Sequence, residues 1–293
     1  MTLKFEPIGL DQQTAYRRLL DQCPPQASDY SFINLWGWSE AYGLSWAWQG
    51  KLVWIRQSRP AVSYWAPVGD WSATDWEEVL STHFSRGTVF VRIPERLVNI
   101  WQSVLTESIQ VKETRGQWDY LYSKADLVGL KGNRYHKKKN LVNQFAKNYA
   151  YTYAPITSAS VEQALALQDA WCTWRDCEST ATLASENRVI TRILNAWGRL
   201  KGLLAGGLWV DKTLVAYTVA EALNPDTLLI HFEKGDSGFK GVYQAINRLF
   251  LADLGDRFTT VNREQDLDDA GLRQAKLSYH PTDFLRKYEI LLH

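Results

Sequence analysis

The stretch Gly238 to Asn247, GFKGVYQAIN, constrains the fold most, because a strand pattern gives way to a helix pattern there. The apolar run from Thr227 to Glu233 is typical of a strand, and apolar residues then return at helical spacing. Gly238 and Gly241 allow close backbone approach to an anion, and Lys240 adds a positive charge. The sequence therefore predicts an anion-binding turn, with a strand-to-helix turn that holds no ligand as the alternative.

The length and composition indicate a folded protein of two domains. The chain has 293 residues, of which 45% are hydrophobic and 13% aromatic. No uninterrupted apolar run reaches about 18 residues, so we expect no membrane-spanning segment. Three cysteines are too few and too irregular for a disulfide framework, and no CxxC pair indicates a metal site. We therefore expect a cytoplasmic protein without a metal centre.

One segment is strongly basic although the whole chain carries a net charge of only +1. From Lys124 to Lys147, seven basic side chains stand against Asp126 alone, which gives a local net charge of +6. A helix over 133–148 would place Arg134 and Lys138 on the same side as its apolar residues. These two side chains either cover the domain edge or face a cleft that binds phosphate. Lys137, Lys139 and Lys147 form a solvated basic face that can contact a polyanion such as tRNA without being specific to it.

The first half of the chain is predicted to be mixed α and β. The aromatic-rich segment from Ser31 to Trp48 predicts a helix and then a strand from Leu44, with most of its rings in a hydrophobic core. A second strand should follow over Leu52 to Gln57. Before this segment, a helix from Leu10 to Cys23 should end at Pro24-Pro25.

The second half has a regular order of predicted elements after Tyr149. A strand precedes two helices, over Ser160 to Arg175 and Glu186 to Leu200, and three antiparallel strands follow. The glycine turn and its helix come next. A strand, a short helix and a last strand over Phe284 to Leu292 complete the order.

Polar residues near two predicted strand ends are candidates for binding and proton transfer. Period 2 places His231 and Glu233 on one strand face beside the glycine turn, where Glu233 could act as a base or pair with Lys234 or Arg248. After the next strand, Arg263 could hold a phosphate or carboxylate. Glu264, a further candidate for catalysis, or Asp266 could receive a substrate amine, or these acids could cap a helix and form surface pairs. The full polar set comprises Asn262, Arg263, Glu264, Gln265 and Asp266.

The order of elements resembles the GNAT acyltransferase fold, and three longer stretches are similar to a narrower family. They are DLVGLKGNRYHKKKNLVNQF, HFEKGDSGFKGVYQAIN and NREQDLDDAGLRQAKLSYHP, at Asp126, His231 and Asn262. They look like the soluble family related to the C-terminal catalytic region of bacterial phosphatidylglycerol lysyltransferases. The resemblance implies an α/β (α+β) chain of two tandem GNAT-like domains, at 1–125 and 126–293. Each domain would hold a mixed, mostly antiparallel sheet flanked by helices.

The resemblance also implies a reaction and completes the candidate site. Tyr279 stands where GNAT enzymes often place the tyrosine that protonates the leaving group, with Lys276 beside it, although a packed aromatic remains the alternative. The implied reaction transfers an aminoacyl group from aminoacyl-tRNA, or another activated carrier, to an amine or hydroxyl. A lipid headgroup is the less favoured acceptor. Acyl-coenzyme A as the donor, and a non-catalytic protein that binds RNA or another polyanion, are the alternatives.

Overall fold

A computed structural model describes residues 3–23, 27–105 and 108–293. The first half of the chain contains short helices and strands. They are β1 (Glu6–Pro7), α1 (Gln13–Leu20), α2 (Phe32–Tyr42), β2 (Ser45–Gln49), β3 (Leu52–Gln57), β4 (Ser63–Trp65), β5 (Val68–Gly69), α3 (Trp76–His83), β6 (Val89–Pro94), α4 (Glu95–Leu105) and β7 (Ile109–Glu113). The predicted helix end at Pro24-Pro25 lies outside the described residues.

The rest of the chain contains longer helices and strands. They are β8 (Asp119–Ser123), α5 (Lys124–Gly129), α6 (His136–Asn148), β9 (Tyr151–Pro155), α7 (Val161–Arg175), α8 (Ala181–Asn195), β10 (Leu203–Val210), β11 (Thr213–Ala222), β12 (Thr227–Gly235), α9 (Val242–Asp253), β13 (Thr260–Asn262), α10 (Ala270–Leu277), β14 (Asp283–Leu285) and β15 (Lys287–Leu292).

The chain divides into two compact units that are discontinuous in sequence. Unit 1 comprises Met1–Asp119, Gln265–Arg273 and Phe284–His293, and unit 2 comprises Tyr120–Glu264 and Gln274–Asp283. The predicted boundary between residues 125 and 126 stays a prediction, since compact units need not follow continuous stretches of sequence.

Unit 1 is built on a mixed sheet with the strand order β1-β2-β3-β4-β6-β15-β7. Strands β4 and β6 are parallel, and the other neighbours along this order are antiparallel. The core is aromatic, as predicted: the rings of Phe32, Trp46 and Trp54 are fully buried. The helix and the two strands predicted between Ser31 and Gln57 are confirmed by α2, β2 and β3.

A buried ionic network holds the C-terminal strand in unit 1. Lys287, at the start of β15, is fully buried and pairs with Asp29 and with Asp119, whose Oδ1 lies 2.6 Å from the ammonium nitrogen. Arg92 also pairs with Asp29. Burial alone would raise the pKa of Asp29, but the charges of Lys287 and Arg92 lower it below its ordinary value. The buried carboxylates are therefore compensated by two buried cations.

Unit 2 contains strands in the order β8-β13-β12-β11-β10-β9. Only β12 and β13 run parallel among these neighbours. Helix α9 packs on one face, where Ala216 joins Ala245 and Ile246 in the core. Helix α7 covers the other face, since the Tyr217 hydroxyl donates to Gln168 Oε1 over 2.7 Å. The predicted fold class, mixed and mostly antiparallel sheets flanked by helices, is confirmed.

Two element predictions in the second half need correction. The second helix runs over Ala181–Asn195 rather than from Glu186 to Leu200, because the Thr180 hydroxyl caps it by accepting from Leu183 N–H. The predicted last strand is divided into β14 and β15, and β15 pairs with β6 and β7 of the first sheet. Strand partners that lie far apart in sequence cannot be read from local periodicity.

One cysteine pair also departs from the expectation. Cys172 and Cys177 form a disulfide bond, because α7 ends at Arg175 and the left-handed Asp176 turns the chain back, which leaves the two Cα atoms 5.0 Å apart. Cys23 is free and buried. Cysteine number and spacing exclude a disulfide framework but do not reveal a single local disulfide bond across a helix end.

Candidate functional site

Glu233 on β12 lies at the centre of a buried polar cluster in unit 2. Its Oε2 lies 2.6 Å from Arg263 Nη2, and its Oε1 accepts a hydrogen bond from Asn247 Nδ2 over 3.0 Å. The suggested partners Lys234 and Arg248 are wrong, since they bind Glu186 Oε2 and the Val128 carbonyl instead. Residue alternation explains this outcome, because Lys234 points to the opposite face of the strand.

Arg263 follows β13 and is held by its backbone as well as by its side chain. Its N–H donates to the Tyr120 carbonyl over 3.0 Å, and its carbonyl accepts from Lys276 Nζ over 2.6 Å. Burial is the largest influence on the pKa of the guanidinium and would lower it, but the charge of Glu233, its hydrogen bond and the nearby Tyr122 and Tyr279 together raise it. Arg263 is therefore a fixed cation, and Lys276 supports it.

The ring of Tyr279 packs between two cations. The guanidinium carbon of Arg263 lies 5.0 Å from the ring centroid, and Lys138 Nζ lies 4.2 Å from it. Burial raises the pKa of the phenol, although hydrogen bonds to Gln244 and Arg263 act in the opposite direction. Tyr279 is thus a protonated phenol at neutral pH, placed against the first turn of α9.

Lys138 and Arg134 occupy different surroundings although both were expected on one side of the helix. Lys138, on α6, is half-buried at Tyr279, and burial followed by the charge of Arg263 lowers its pKa. Arg134 pairs with Asp126 over 2.9 Å and leaves 52% of its side chain exposed. The structure brings Lys138, but not Arg134, to the Glu233 cluster, which we define as Glu233, Arg263, Tyr279, Lys138, Gln244 and Asn247.

His231 lies between two carboxylates instead of beside an open surface. Its Nε2 lies 3.2 Å from Glu221 Oε1, and its Nδ1 lies 3.2 Å from Glu264 Oε1. Only 1% of the imidazole side chain is exposed. The substrate contacts predicted for His231 and Asn262 stay predictions. Asn262 is also engaged, since its Oδ1 accepts from Glu264 N–H over 2.8 Å.

Asp266 belongs to unit 1 and is held there by two arginines. Its fully buried side chain lies 3.3 Å from Arg115 and 2.8 Å from Arg273 Nε. Its Oδ1 also accepts from the N–H of Asp268 over 2.9 Å. Asp266 therefore has a full set of partners within unit 1, and its predicted contact with a substrate remains untested.

The glycine turn is closed by contacts within the chain. The N–H of Gly238 donates to Asp236 Oδ1 over 2.8 Å, and the N–H of Lys240 donates to the Tyr149 hydroxyl over 3.3 Å. Gly241 has a φ of +87°, and a side chain there would meet the Leu141 carbonyl oxygen at 2.1 Å. Helix packing thus requires Gly241 in this turn. Anion binding by Gly238, Lys240 and Gly241 stays a prediction.

Three residues around the Glu233 cluster and His231 were not predicted from the sequence, namely Gln244, Asn247 and Glu221. Gln244 and Asn247 lie on α9, and Asn247 is a buried polar residue on a helix whose other buried residues are apolar. Such an interruption of an apolar stripe is the signal that could have identified it. Glu221 gave no such signal, because its contact with His231 depends on the pairing of β11 with β12.

The described ranges show no other class of site. Among those residues, no helix is both long and apolar enough to cross a membrane. No group of three or more histidine, cysteine or acidic side chains in the same ranges could hold a metal ion.

Comparison with known proteins identifies relatives of the whole chain. A conserved protein of unknown function from Bacteroides thetaiotaomicron is 28% identical, with a TM-score of 0.90 over 99% of this chain and 100% of the other. The C-terminal domain of a putative lysylphosphatidylglycerol synthetase from Agrobacterium fabrum is 12% identical, with a TM-score of 0.66 over 97% and 93% of the two chains. The second likeness shows a shared fold.

A curated relative and a family assignment complete the comparison. An uncharacterized protein of Mycoplasmoides gallisepticum is 29% identical over 175 residues, which are 58% of this chain and 54% of that protein. The match thus spans about half the length of the curated relative. The family described as phosphatidylglycerol lysyltransferase, C-terminal, matches residues 20–290. The chain belongs to this phosphatidylglycerol lysyltransferase C-terminal family.

Proposed function

We propose that the protein transfers an aminoacyl group from aminoacyl-tRNA, or a similar activated carrier, to an amine or hydroxyl acceptor. One observation carries the proposal: a carboxylate and a protonated phenol, those of Glu233 and Tyr279, both contact the guanidinium of Arg263. A proton acceptor and a proton donor therefore share one buried centre. Transfer between two oxygen or nitrogen nucleophiles needs both groups.

The two groups divide the proton transfers of the reaction. The acceptor nitrogen or oxygen attacks the ester carbonyl carbon of the donor and passes its proton to Glu233. The bond between that carbon and the carrier oxygen breaks, and the Tyr279 hydroxyl supplies the proton that the leaving oxygen takes up. Proton return from Glu233 to the phenolate restores both groups. Arg263 contacts both side chains and stabilises the phenolate between these steps.

The charge around Tyr279 favours an anionic donor. Two cations, Lys138 and Arg263, face the ring, whereas Glu233 supplies one carboxylate. The excess positive charge would attract a phosphate of the carrier or the oxyanion that forms during attack. Arg263 is already paired with Glu233, so Lys138 is the cation of this arrangement that would engage the donor.

Exposed lysines on the same helix support a nucleic acid carrier. Lys137, Lys139 and Lys147 of α6 are exposed, and Lys138 of the same helix faces Tyr279. A polyanion bound along this helix could present its end to the cluster. The family description names lysyl transfer to phosphatidylglycerol, so lysyl-tRNA is the first donor to test and both lipid and soluble acceptors are included.

The proposal is tested by ligand binding and by turnover of the purified protein. Thermal shift and binding are measured with tRNA, aminoacyl-tRNA, coenzyme A and acyl-coenzyme A, and transfer is followed with labelled aminoacyl groups. Acceptors are phosphatidylglycerol vesicles and a set of soluble amines and alcohols. We expect binding of tRNA and acceptor-dependent transfer. Binding of acyl-coenzyme A with acyl transfer, or polyanion binding without transfer from any donor, would contradict the proposal.

A further inference from the structure

The imidazole of His231 is enclosed by three segments of unit 2. His231 lies on β12 where the pairing with β11 shifts register between Val219 and Ala220, so the strand has an irregularity at this position. Glu221 approaches from β11, and Glu264 approaches from the segment after β13, each at 3.2 Å from a ring nitrogen. Only 1% of the side chain is exposed, so the ring is almost fully enclosed by these contacts.

Each nitrogen of the ring faces one carboxylate oxygen. Burial is the largest influence on the pKa of His231 and would lower it, but hydrogen bonds and charges of Glu221 and Glu264 together raise the pKa to about 9. An imidazolium carries an N–H on each nitrogen and can serve both carboxylates, whereas neutral imidazole can serve one. Loss of the proton would leave a buried carboxylate without a donor from the ring.

Glu264 connects this ring to the Glu233 cluster. Glu264 has a φ of +55°, a left-handed conformation, and its N–H donates to Asn262 Oδ1 over 2.8 Å. The Glu264 carbonyl accepts from Tyr120 N–H, and Arg263 N–H donates to the Tyr120 carbonyl. The unusual backbone conformation therefore falls directly after Arg263, whose side chain binds Glu233.

Two ion pairs thus join β12 to the end of β13. His231 binds Glu264, and Glu233, two residues further along β12, binds Arg263. His231 and Glu233 lie on the strand, and their partners Glu264 and Arg263 are successive residues. A displaced Glu264 would turn the chain at Arg263 and lengthen its contact with Glu233.

We propose that His231, as an imidazolium, is a positioning residue that holds Glu264 and thereby fixes the Arg263 guanidinium against Glu233. This role is an alternative to the substrate contact predicted for His231 and to the catalytic role predicted for Glu264. It rests on the proposed function only for its effect on turnover. The geometry of the Arg263 and Glu233 pair can be measured without any substrate.

The test compares His231→Gln and Glu264→Gln with Tyr217→Phe as the control. Tyr217 is a buried tyrosine of β11 whose hydroxyl binds Gln168 on the other sheet face, so the control weakens the same sheet without touching the ion pairs. The first readout is hydrogen exchange of the Arg263 Nε–H by NMR, corrected for global stability. We expect exchange at least about tenfold faster in both test variants and unchanged exchange in the control.

A second readout in the wild-type protein needs no variant to fold. The ¹⁵N shifts of His231 are followed against pH together with the Arg263 Nε–H signal. We expect His231 to titrate near 9 and the Arg263 signal to change in the same range. Titration of His231 below 7, or an Arg263 signal that is unaffected by both test variants, would overturn the proposal.

Turnover measurements distinguish the positioning role of His231 from the proposed aminoacyl transfer. If aminoacyl transfer occurs, His231→Gln should lower kcat about tenfold while KM for donor and acceptor stays within about twofold, because a residue that positions the Arg263 and Glu233 pair affects the reaction step rather than substrate binding. Changes confined to KM would overturn the positioning role. If no donor supports transfer, the proposed function fails, and the exchange of Arg263 Nε–H alone still decides whether His231 positions the pair.

Discussion

Glu233 and Arg263 meet at 2.6 Å although thirty positions of the sequence separate them. One residue lies on β12 and the other directly follows β13, and these are the two parallel neighbours in the unit 2 sheet. Asn262 at the end of β13 pairs with Leu229, so Arg263 continues alongside β12 toward Glu233, which lies further along that strand. The candidate centre is therefore a consequence of this one parallel pairing.

Gly241→Ala should destabilise the protein without any change in charge. The new methyl group would meet the Leu141 carbonyl oxygen at 2.1 Å, and the φ of +87° disfavours any side chain. We expect the free energy of unfolding, measured by denaturant titration, to fall by about 1–3 kcal/mol. Gly198→Ala is the matched control, because nothing lies within 4 Å of its added methyl group. Equal stabilities of the two variants would contradict the packing described for α6 and α9.

Lys287→Met should be among the most destabilising single changes in unit 1. It leaves Asp29 and Asp119 buried beside one remaining cation, Arg92, and removal of one partner from a buried ion pair costs about 3–5 kcal/mol. Lys112→Met is the control, since Lys112 is 72% exposed and lies 3.9 Å from Glu289. A loss of under about 1 kcal/mol in Lys287→Met would show that the network is not stabilising.

The same network predicts a direction for acid denaturation. The pKa of Asp29 is lower in the folded protein than its ordinary value of 3.8, so the folded state binds its proton less readily. The stability that this carboxylate contributes is complete above that ordinary value and falls as pH drops through the folded pKa. Denaturation midpoints in acid should therefore fall more steeply for wild type than for Asp29→Asn. Parallel curves for the two proteins would contradict this assignment.

The exposed basic face of α6 should contribute to tRNA affinity through salt-dependent contacts. Lys137→Ala with Lys139→Ala should weaken binding several-fold and reduce the slope of log affinity against log salt by roughly 1.5, as expected for two lost phosphate contacts. Lys212→Ala, at the exposed turn between β10 and β11, is the control. An unchanged slope in the double variant would place the polyanion elsewhere.

Local elements were predicted from the sequence more successfully than their partners. The strand, turn and helix around Gly241 and the aromatic core around Trp46 follow from periodicity and turn chemistry, which act over a few residues. The pairing of β15 with the first sheet depends on contacts across the whole chain, including the ion pair of Lys287 with Asp29. No local pattern encodes such a contact.

The sequence predicted some residues of the candidate site but not the residues that support them. Glu233 and Arg263 were selected by residue type and position near strand ends, and Tyr279 by the resemblance to GNAT enzymes. The structure brings the three together. Their support by Gln244 and Asn247 was missed, because side chains on a helix face can be assigned only when the packing of that helix is known. Arg134 was grouped with Lys138 by helical spacing, but its pairing with Asp126 turns it outward.

The central claim is that Glu233 and Tyr279 move protons during aminoacyl transfer, and single-turnover transfer from lysyl-tRNA tests it most directly. Rates are measured for wild type, Glu233→Gln, Tyr279→Phe and the control Tyr217→Phe, with circular dichroism and tRNA binding recorded for each. We predict that the first two variants keep their fold and tRNA affinity but transfer at least about 100-fold more slowly, with the control near wild type. Wild-type rates in both variants would contradict the account.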